Sequence, residues 1–309
     1  MRLAVLTPTM RRPALLAQAL RSVFGQTREP DEIVVVDNDP DGSARATVEA
    51  LRLQAPCPLI YVHEPKPGVA TARNAGLAAT TAELIACLDD DEAASPEWLA
   101  ALVDTQSRFA ADAVFGPIRG RVDGEGPLKA YFEDFFGRSG PAASGPTGES
   151  YGCGNSLLKR ATVLPGPRPF DPKHDQIGGE DDAVFSALKA RGGRIAWAAE
   201  AWVEEFAPAH RARLHYVLMR AFAYGQGPSQ TAARERRWAS LARWMAIGAA
   251  QALVYGAGAL VVLPFGRLKA VRLLDRAARG LGKLLWTRGF EPKVYGRAEL
   301  ARRPVAAAS

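Results

Sequence analysis

Cysteine is scarce in this chain. There are three among 309 residues (Cys57, Cys87, Cys153), an odd number without metal-ligand spacing. That excludes a disulfide framework and a zinc module, and it fits a reducing compartment. The four histidines (His63, His174, His210, His215) have no partner at ligand spacing, and only His210 is worth weighing as a neighbour of a metal. No Gly-x-Gly-x-x-Gly follows the first strand-like run, Leu3 to Leu6; Thr7-Pro8-Thr9-Met10-Arg11-Arg12 stands there instead. A P-loop is also absent, so neither a dinucleotide fingerprint nor a Walker-type phosphate cradle is available. Met1-Arg2 leads straight into that first run, so no signal peptide is expected. Acid is short in the last third. Residues 205–309 hold 18 Lys/Arg and 5 Asp/Glu, a balance of +13, whereas residues 1–204 hold 21 and 28, a balance of −7. A basic tail of this kind suits a polyanion or an anionic membrane surface. The composition is 48% hydrophobic, with Gly and Pro frequent but not repeating, which is globular composition and not disorder.

The most informative stretch is Leu84-Ile85-Ala86-Cys87-Leu88-Asp89-Asp90-Asp91-Glu92. A short apolar run of this kind reads as a strand buried on both faces, with Cys87 as a small core residue. Its carboxylates then fall at the strand's C-terminal end, where open α/β sheets bind ligands. Four adjacent acids repel one another and call for a cation, a divalent metal being the simplest. Extended geometry would send Asp89 and Asp91 to one side, able to share a metal-bound ligand, and Asp90 to the other. The competing reading is a solvated acidic turn before a helix capped by Ser95 with Pro96 at its first position.

Strands and helices alternate along the first part of the chain. Leu3 to Leu6 is a strand and Thr7 to Pro13 a loop. A helix follows with Leu15, Leu16, Ala19, Leu20, Val23 and Phe24 at helical spacing, ended by Gly25. Ile33 to Val36 is a buried strand ending at Asp37-Asn38-Asp39. A helix over 44–53, a strand over 59–62, the Gly68 loop and a helix over 71–80 lead to the strand that ends at Asp89. This pattern predicts an α/β fold, a parallel sheet with helices on both faces and strand-end carboxylates on one edge.

Five motifs occur in order: Thr7-Pro8-Thr9; Val36-Asp37-Asn38-Asp39; Gly68-Val69-Ala70-Thr71-Ala72-Arg73-Asn74-Ala75-Gly76; Leu88-Asp89-Asp90-Asp91; and Gly179-Glu180-Asp181-Asp182. Over residues 1–205 this series resembles the family 2 glycosyltransferases. The resemblance implies a GT-A fold, Rossmann-like, with a mostly parallel mixed sheet flanked by helices. It divides that domain into a nucleotide-sugar half (1–92) and an acceptor half (93–205). It implies an inverting, metal-dependent transfer from a nucleotide-diphosphate sugar.

The resemblance also assigns roles. Asp91, with Asp89, would hold Mn²⁺ or Mg²⁺, and Asp89 would lie near the ribose, with Asp90 beside the nucleotide sugar. The ion would stabilise charge growing on the diphosphate leaving group, as hard cations with few protein carboxylates do. Asp37 would accept from the base, against a plain turn role, and Thr7, Pro8 and Thr9 would pack over it. Arg73 would offer its fork to a phosphate, with Lys66 a weaker candidate. Asp181 would be the general base on the acceptor hydroxyl and Glu180 would orient or bind the acceptor. Asp182 is the one-residue alternative to Asp181, and helix capping is the ordinary role for all three acids.

Residues 137–150, rich in Gly, Ser and Pro, read as a mobile loop before Tyr151-Gly152-Cys153-Gly154-Asn155-Ser156 re-enters structure. Trp197 and Trp202 are better placed as core than as sugar platforms. Residues 206–309 form a helical, basic, membrane-associated extension. No charge occurs between Arg243 and Arg267, a run long enough to span a bilayer, and a basic amphipathic helix follows. The alternative is a buried helix packed on the catalytic domain. The arrangement is similar to that of exopolysaccharide (succinoglycan-type) members of the family. Arg234-Glu235-Arg236-Arg237-Trp238 only approximates the Gln-x-x-Arg-Trp of processive members, so a single-addition enzyme is expected. The expected partners are a nucleotide sugar, a saccharide acceptor, natural as a lipid-linked one, and the cytoplasmic face of the inner membrane, with no nucleic acid. A nucleotidyltransferase of related fold and a degenerate nucleotide-binding membrane scaffold are the competing functions.

Overall fold

A computed structural model describes residues 1–175 and 178–292. The chain forms two compact units. Among the described residues, the first comprises Met1–Arg119 and Gly137–Phe206, and the second comprises Gly120–Phe136 and residues 207–292. Residues 120–136 thus fall with the C-terminal helices, although the sequence reading put them in the acceptor half. The end of the 206–309 extension lies outside the described residues.

The nucleotide half of the first unit runs β1 (Leu3–Thr9), α1 (Pro13–Phe24), β2 (Glu32–Asp37), α2 (Arg45–Leu51), β3 (Leu59–His63), α3 (Val69–Ala78) and β4 (Leu84–Cys87). After it come β5 (Glu92–Ala94), α4 (Trp98–Phe109), β6 (Ala113–Phe115) and β7 (Ile118–Val122). Helix α5 (Lys129–Phe136) belongs to the second unit; β8 (Gly145–Thr147), β9 (Ser156–Lys159), α6 (Arg160–Val163), α7 (Glu180–Ala190), β10 (Ile195–Trp197) and β11 (Val203–Ala207) follow.

The main sheet has the order β3-β2-β1-β4-β9-β6-β10-β8. Its first four strands are parallel, and β9 inserts antiparallel between β4 and β6. Strand alternation divides the core in two. Leu3, Val5, Ile33, Val35, Leu84 and Ala86 pack with α1 and α4 on one face. Ala4, Leu6, Val34, Val36, Ile85 and Cys87 pack with α3 and α7 on the other. A period of two with both sets apolar is why these strands read as continuous hydrophobic runs.

Three local expectations are corrected. β1 continues through Thr9, because Pro8 and Thr9 pair with Val36 and Asp37; proline lacks an N–H, and parallel pairing is kept by its neighbours. Ser95 does not cap α4, whose N-cap is Glu97 without a side-chain bond. Residues 137–150 are held in place: Trp197 Nε1 donates to Pro141 O at 2.9 Å, Gly140 lies against the Trp197 ring, and β8 pairs antiparallel with β10. A segment too polar for a core can still complete a sheet edge through backbone bonds.

The second unit holds α5 with α8 (Leu214–Arg234), α9 (Trp238–Val262) and α10 (Arg267–Leu284). Tyr131, Tyr216, Val217 and Val271 form its small core. Glycines set its helix packing. A side chain on Gly225 would run into the Arg279 carbonyl, and one on Gly282 into the Phe222 carbonyl. α9 is long and apolar enough to cross a membrane, and 11% of its most apolar window is buried, so it is no ordinary core helix.

Candidate active site

The site is built on the C-terminal edge of the parallel strands. β4 ends at Cys87, and the chain turns at Asp90-Asp91, with Glu92 N donating to Asp89 O at 3.1 Å. The expected alternation of the three aspartates is therefore replaced by turn geometry, since the chain must reverse into β5 to pair with β11. Asp90 and Asp91 converge on one cation: Arg12 Nη1 donates to Asp90 Oδ1 at 2.6 Å and to Asp91 Oδ2 at 2.5 Å. Thr9 Oγ1 adds a bond to Asp90 Oδ2 at 2.8 Å. Burial pushes the Asp90 carboxyl up, against the pull of Arg12.

Asp89 faces the other way. Its carboxylate lies 3.7 Å from the Arg73 guanidinium. Its pKa is pushed up to about 6 by burial, with Asp91 and Asp90 adding to the rise and Arg73 and Arg12 opposing it. Arg73 itself is buried, bonded through Nη1 to Glu180, and stacked 5.6 Å from the Phe170 ring. Burial works against its charge, but the surrounding Cys153, Glu180, Asp89 and Asp181 prevail and hold its pKa well above the usual value. Arg73 and Glu180, each 5% exposed, engage each other in a buried ion pair. The pairing follows from where they sit, Arg73 on the inward face of α3 and Glu180 in the first turn of α7.

Between these two acid-bearing turns runs the loop Tyr151–Asn155. Cys153 N donates to Asp181 Oδ2 at 3.2 Å, and Asp182 N donates to Asp181 Oδ1 at 2.9 Å, which leaves Asp181 half-buried and Asp182 exposed. A Cβ on Gly154 would lie 2.8 Å from Asp89 Oδ2 and 2.9 Å from Glu92 Oε1. The backbone passes directly against the carboxylates, so any side chain there would push them aside. Arg138 anchors the loop through Gly152 O (3.2 Å), Gly154 O (2.9 Å) and Asn155 O (2.8 Å), and ties it to the end of β6 through Gly116 O (2.9 Å). Asn155, fully buried at φ 49°, accepts from Trp98 Nε1 and donates to the Pro117 and Ala201 carbonyls. Glu92 accepts from Asp89 N at 2.9 Å, and burial beside Asp89 and Glu205 drives its pKa well above the carboxylate range. Sequence reasoning did not single out Arg12 or Arg138, and took Glu92 only as one of four adjacent acids. The loop was marked only as the point where Tyr151–Ser156 re-enters structure.

Other expected residues are enclosed. Thr7 and Thr9 are buried within β1, and only Pro8 is half-exposed. Asp37 is completely buried and accepts from Asp39 N (3.2 Å), Ala44 N (2.7 Å) and Tyr61 OH (2.9 Å). Its oxygens hold the 38–44 turn, at the C-terminal end of β2. Lys66 is exposed. Asp175 accepts from Thr71 N and Oγ1 and packs where any side chain on Gly68 would sit, tying that loop to the segment before α7. Trp197 is core, and Trp202 carries the Arg119 guanidinium 3.9 Å over its ring. His210 belongs to the second unit.

Among the described residues, no cluster of three or more His, Cys, Asp or Glu forms a complete metal cage. What exists is a pair of buried carboxylates converging on one cationic nitrogen, with a third, Asp89, alongside. This donor set fits a hard divalent ion that takes one or two protein carboxylates and completes its shell from phosphate and water.

Comparisons with known proteins bear on the family and the fold. Residues 4–163 match the family model described as Glycosyl transferase family 2. The succinoglycan biosynthesis protein ExoM of Rhizobium meliloti is 38% identical over 71% of this chain and 71% of its own length. ExoW of the same organism is 30% identical over 35% of this chain and 34% of itself. Among solved structures, a mannosyltransferase of Pyrobaculum calidifontis in complex with GDP-Man and Mn²⁺ superposes with a TM-score of 0.60 at 20% identity, covering 93% of this chain and 88% of the other. S. aureus TarS 1-349 in complex with UDP gives 0.50 at 16% identity, covering 94% and 92%. At these identities the structural likeness shows the fold, the GT-A-like mixed sheet flanked by helices.

Proposed function

This chain belongs to glycosyl transferase family 2, and from that premise we propose that it moves a single sugar from a nucleotide-diphosphate donor to a saccharide acceptor in exopolysaccharide synthesis, with inversion at the anomeric carbon. The observation that carries the reading is the acid-base chain along one sheet edge: Asp91 and Asp90 on Arg12, Asp89 and Glu180 on Arg73, and Asp181 on the Cys153 N–H. Asp91, with Asp89, would hold a divalent ion, Mn²⁺ or Mg²⁺. That ion, when bound, supplies Lewis-acid stabilisation of the diphosphate leaving group.

The protein's own residues do the rest. Asp181 is the general base: it is half-buried, has each oxygen oriented by one backbone N–H, and stands at the start of α7, where it takes the acceptor hydroxyl proton. Arg73 and Glu180 are positioning residues. Their buried pair ties α3 to α7 and so fixes the spacing between Asp89 and Asp181. Gly154 lets the loop backbone close one side of the cleft and limit water there. Arg12 neutralises Asp90 and Asp91 while the donor is away.

A lipid-linked acceptor, a cytoplasmic-facing site and non-processive action are part of the proposal. They rest on the apolar α9, the basic tail and the incomplete Arg234–Trp238 motif. The test of the base is a pair of substitutions. Asp181→Asn is expected to keep donor affinity and to lower turnover roughly a hundredfold or more, with Asp182→Asn near wild type. The reverse pattern would move the base by one residue.

A further inference from the structure

We propose that α9 does not cross the bilayer but lies along the interface of an anionic leaflet, held there by the α9–α10 hairpin. The inference rests on the membrane reading above and concerns the second unit alone. α9 and α10 run antiparallel with their backbones in contact. A Cβ on Gly248 would lie 2.6 Å from Gly280 O, and one on Gly280 would lie 2.7 Å from Ala252 N and from Gly248 O. Farther along, the Arg276 guanidinium sits 5.4 Å over the Tyr255 ring. α10 is tied on its other side to α8 by the Gly225 and Gly282 approaches and by Ser229 Oγ donating to Lys283 O at 2.9 Å. A spanning α9 would have to drag α10 in with it or tear off this contact. α10 carries Arg267, Lys269, Arg272, Asp275, Arg276, Arg279 and Lys283 within 18 residues, a set that hydrocarbon rejects.

The face of α9 turned away from α10 is a different surface. Leu253 (74% exposed), Val254 (66%), Leu260 (73%) and Val261 (69%) follow helical spacing, and Phe265 (86%) continues them past the helix end. Exposed large apolar side chains in a continuous stripe mark a docking face. Its occupant follows from charge. Arg267, Lys269, Arg272 and Arg276 are exposed on the neighbouring helix. Lysine and arginine on long stems reach headgroups while their helix backs an apolar one. An apolar stripe flanked by basic side chains fits an anionic lipid surface at interfacial depth.

The test uses the full chain with Cys57→Ser and single cysteines at Leu253→Cys, Ala257→Cys, Val261→Cys or Phe265→Cys, each carrying an environment-sensitive fluorophore. Vesicles of phosphatidylglycerol and phosphatidylcholine contain quenchers at shallow or deep acyl positions. The proposal predicts shallow quenching at all four positions. Deep quenching at 253 and 257, with 265 at the opposite surface, would mean a crossing helix and overturn it. Failure of the unlabelled protein to float with these vesicles would overturn the membrane reading itself. Val254→Asp with Val261→Asp, both on the exposed stripe, is expected to lower vesicle partitioning by roughly a hundredfold, with the helical circular dichroism unchanged. Unchanged partitioning would remove the stripe from the account.

Discussion

Replacing Arg12 by alanine tests the electrostatic design of the site. Its side chain is 12% exposed, and those of Asp90 and Asp91 are 7% and 8% exposed. Removing one member of a buried ion pair leaves charge without compensation and typically costs about 3–5 kcal/mol. Asp90 keeps its Thr9 bond, whereas Asp91 loses the Arg12 guanidinium. In a domain of this size each kcal/mol shifts Tm by roughly 2–4 °C. Arg12→Ala should therefore melt on the order of 10 °C lower in chelator. A divalent ion takes over the neutralising role, and at a hundredfold excess over its Kd any such ligand adds about 2.7 kcal/mol. Wild type gains less, because its guanidinium competes for the same oxygens. Differential scanning fluorimetry with a Mn²⁺ titration then reads a larger stabilisation in Arg12→Ala than in wild type, with Arg12→Lys between them. Equal melting in chelator, or equal Mn²⁺ shifts, would refute the idea that Arg12 and the ion compete for the Asp91 carboxylate.

Other expectations follow from the same geometry. Asp89 titrates at about 6 in the free protein, so protons compete with the cation below that pH. Mn²⁺-dependent nucleotide affinity should be flat above pH 7 and fall about tenfold per unit well below pH 6, or about 1.4 kcal/mol each, as read by calorimetry. Glu92 has a raised pKa, so its stabilising contribution is complete at low pH and is lost as pH rises through that value. Glu92→Gln, which mimics the neutral acid, should show less loss of Tm at alkaline pH than wild type; a steeper loss would contradict it. Asn155→Ala strips three buried bonds and should destabilise by about 3–5 kcal/mol in urea melts. Gly154→Ala should displace Asp89 and depress activity by far more than it lowers Tm.

Much of the fold was legible because it follows from period and punctuation. The buried runs at 3–6, 33–36 and 84–88 could only be two-sided strands, and Gly25 and Gly68 bracket helices at or near their observed ends. The antiparallel β9 was not legible, because Ser156-Leu157-Leu158-Lys159 is too short to show direction. The acidic motifs stood out as runs of like charge. Their counter-ions did not. Arg12 and Arg138 are 78 and 46 residues away in sequence from Asp90 and Glu92, and only the folded sheet brings each pair together. For the same reason the pairing of Arg73 with Glu180, 107 residues apart, was not legible. The turn-holding bonds of Asp37 were not legible, because a turn-holding aspartate and a base-binding one have the same sequence context.

The central claim is that the Asp89–Asp91 turn and Asp181 work together on a nucleotide-diphosphate sugar. One measurement addresses it most directly: release of nucleoside diphosphate by the purified full chain across a panel of nucleotide sugars, with and without Mn²⁺, for wild type, Asp91→Asn and Asp181→Asn. The account predicts release from one donor class, dependent on Mn²⁺ and on acceptor, abolished in Asp91→Asn, and slowed roughly a hundredfold in Asp181→Asn with donor binding retained. Full activity of Asp91→Asn in chelator, or pyrophosphate formation from a nucleoside triphosphate and a sugar phosphate with no turnover of any nucleotide sugar, would contradict it.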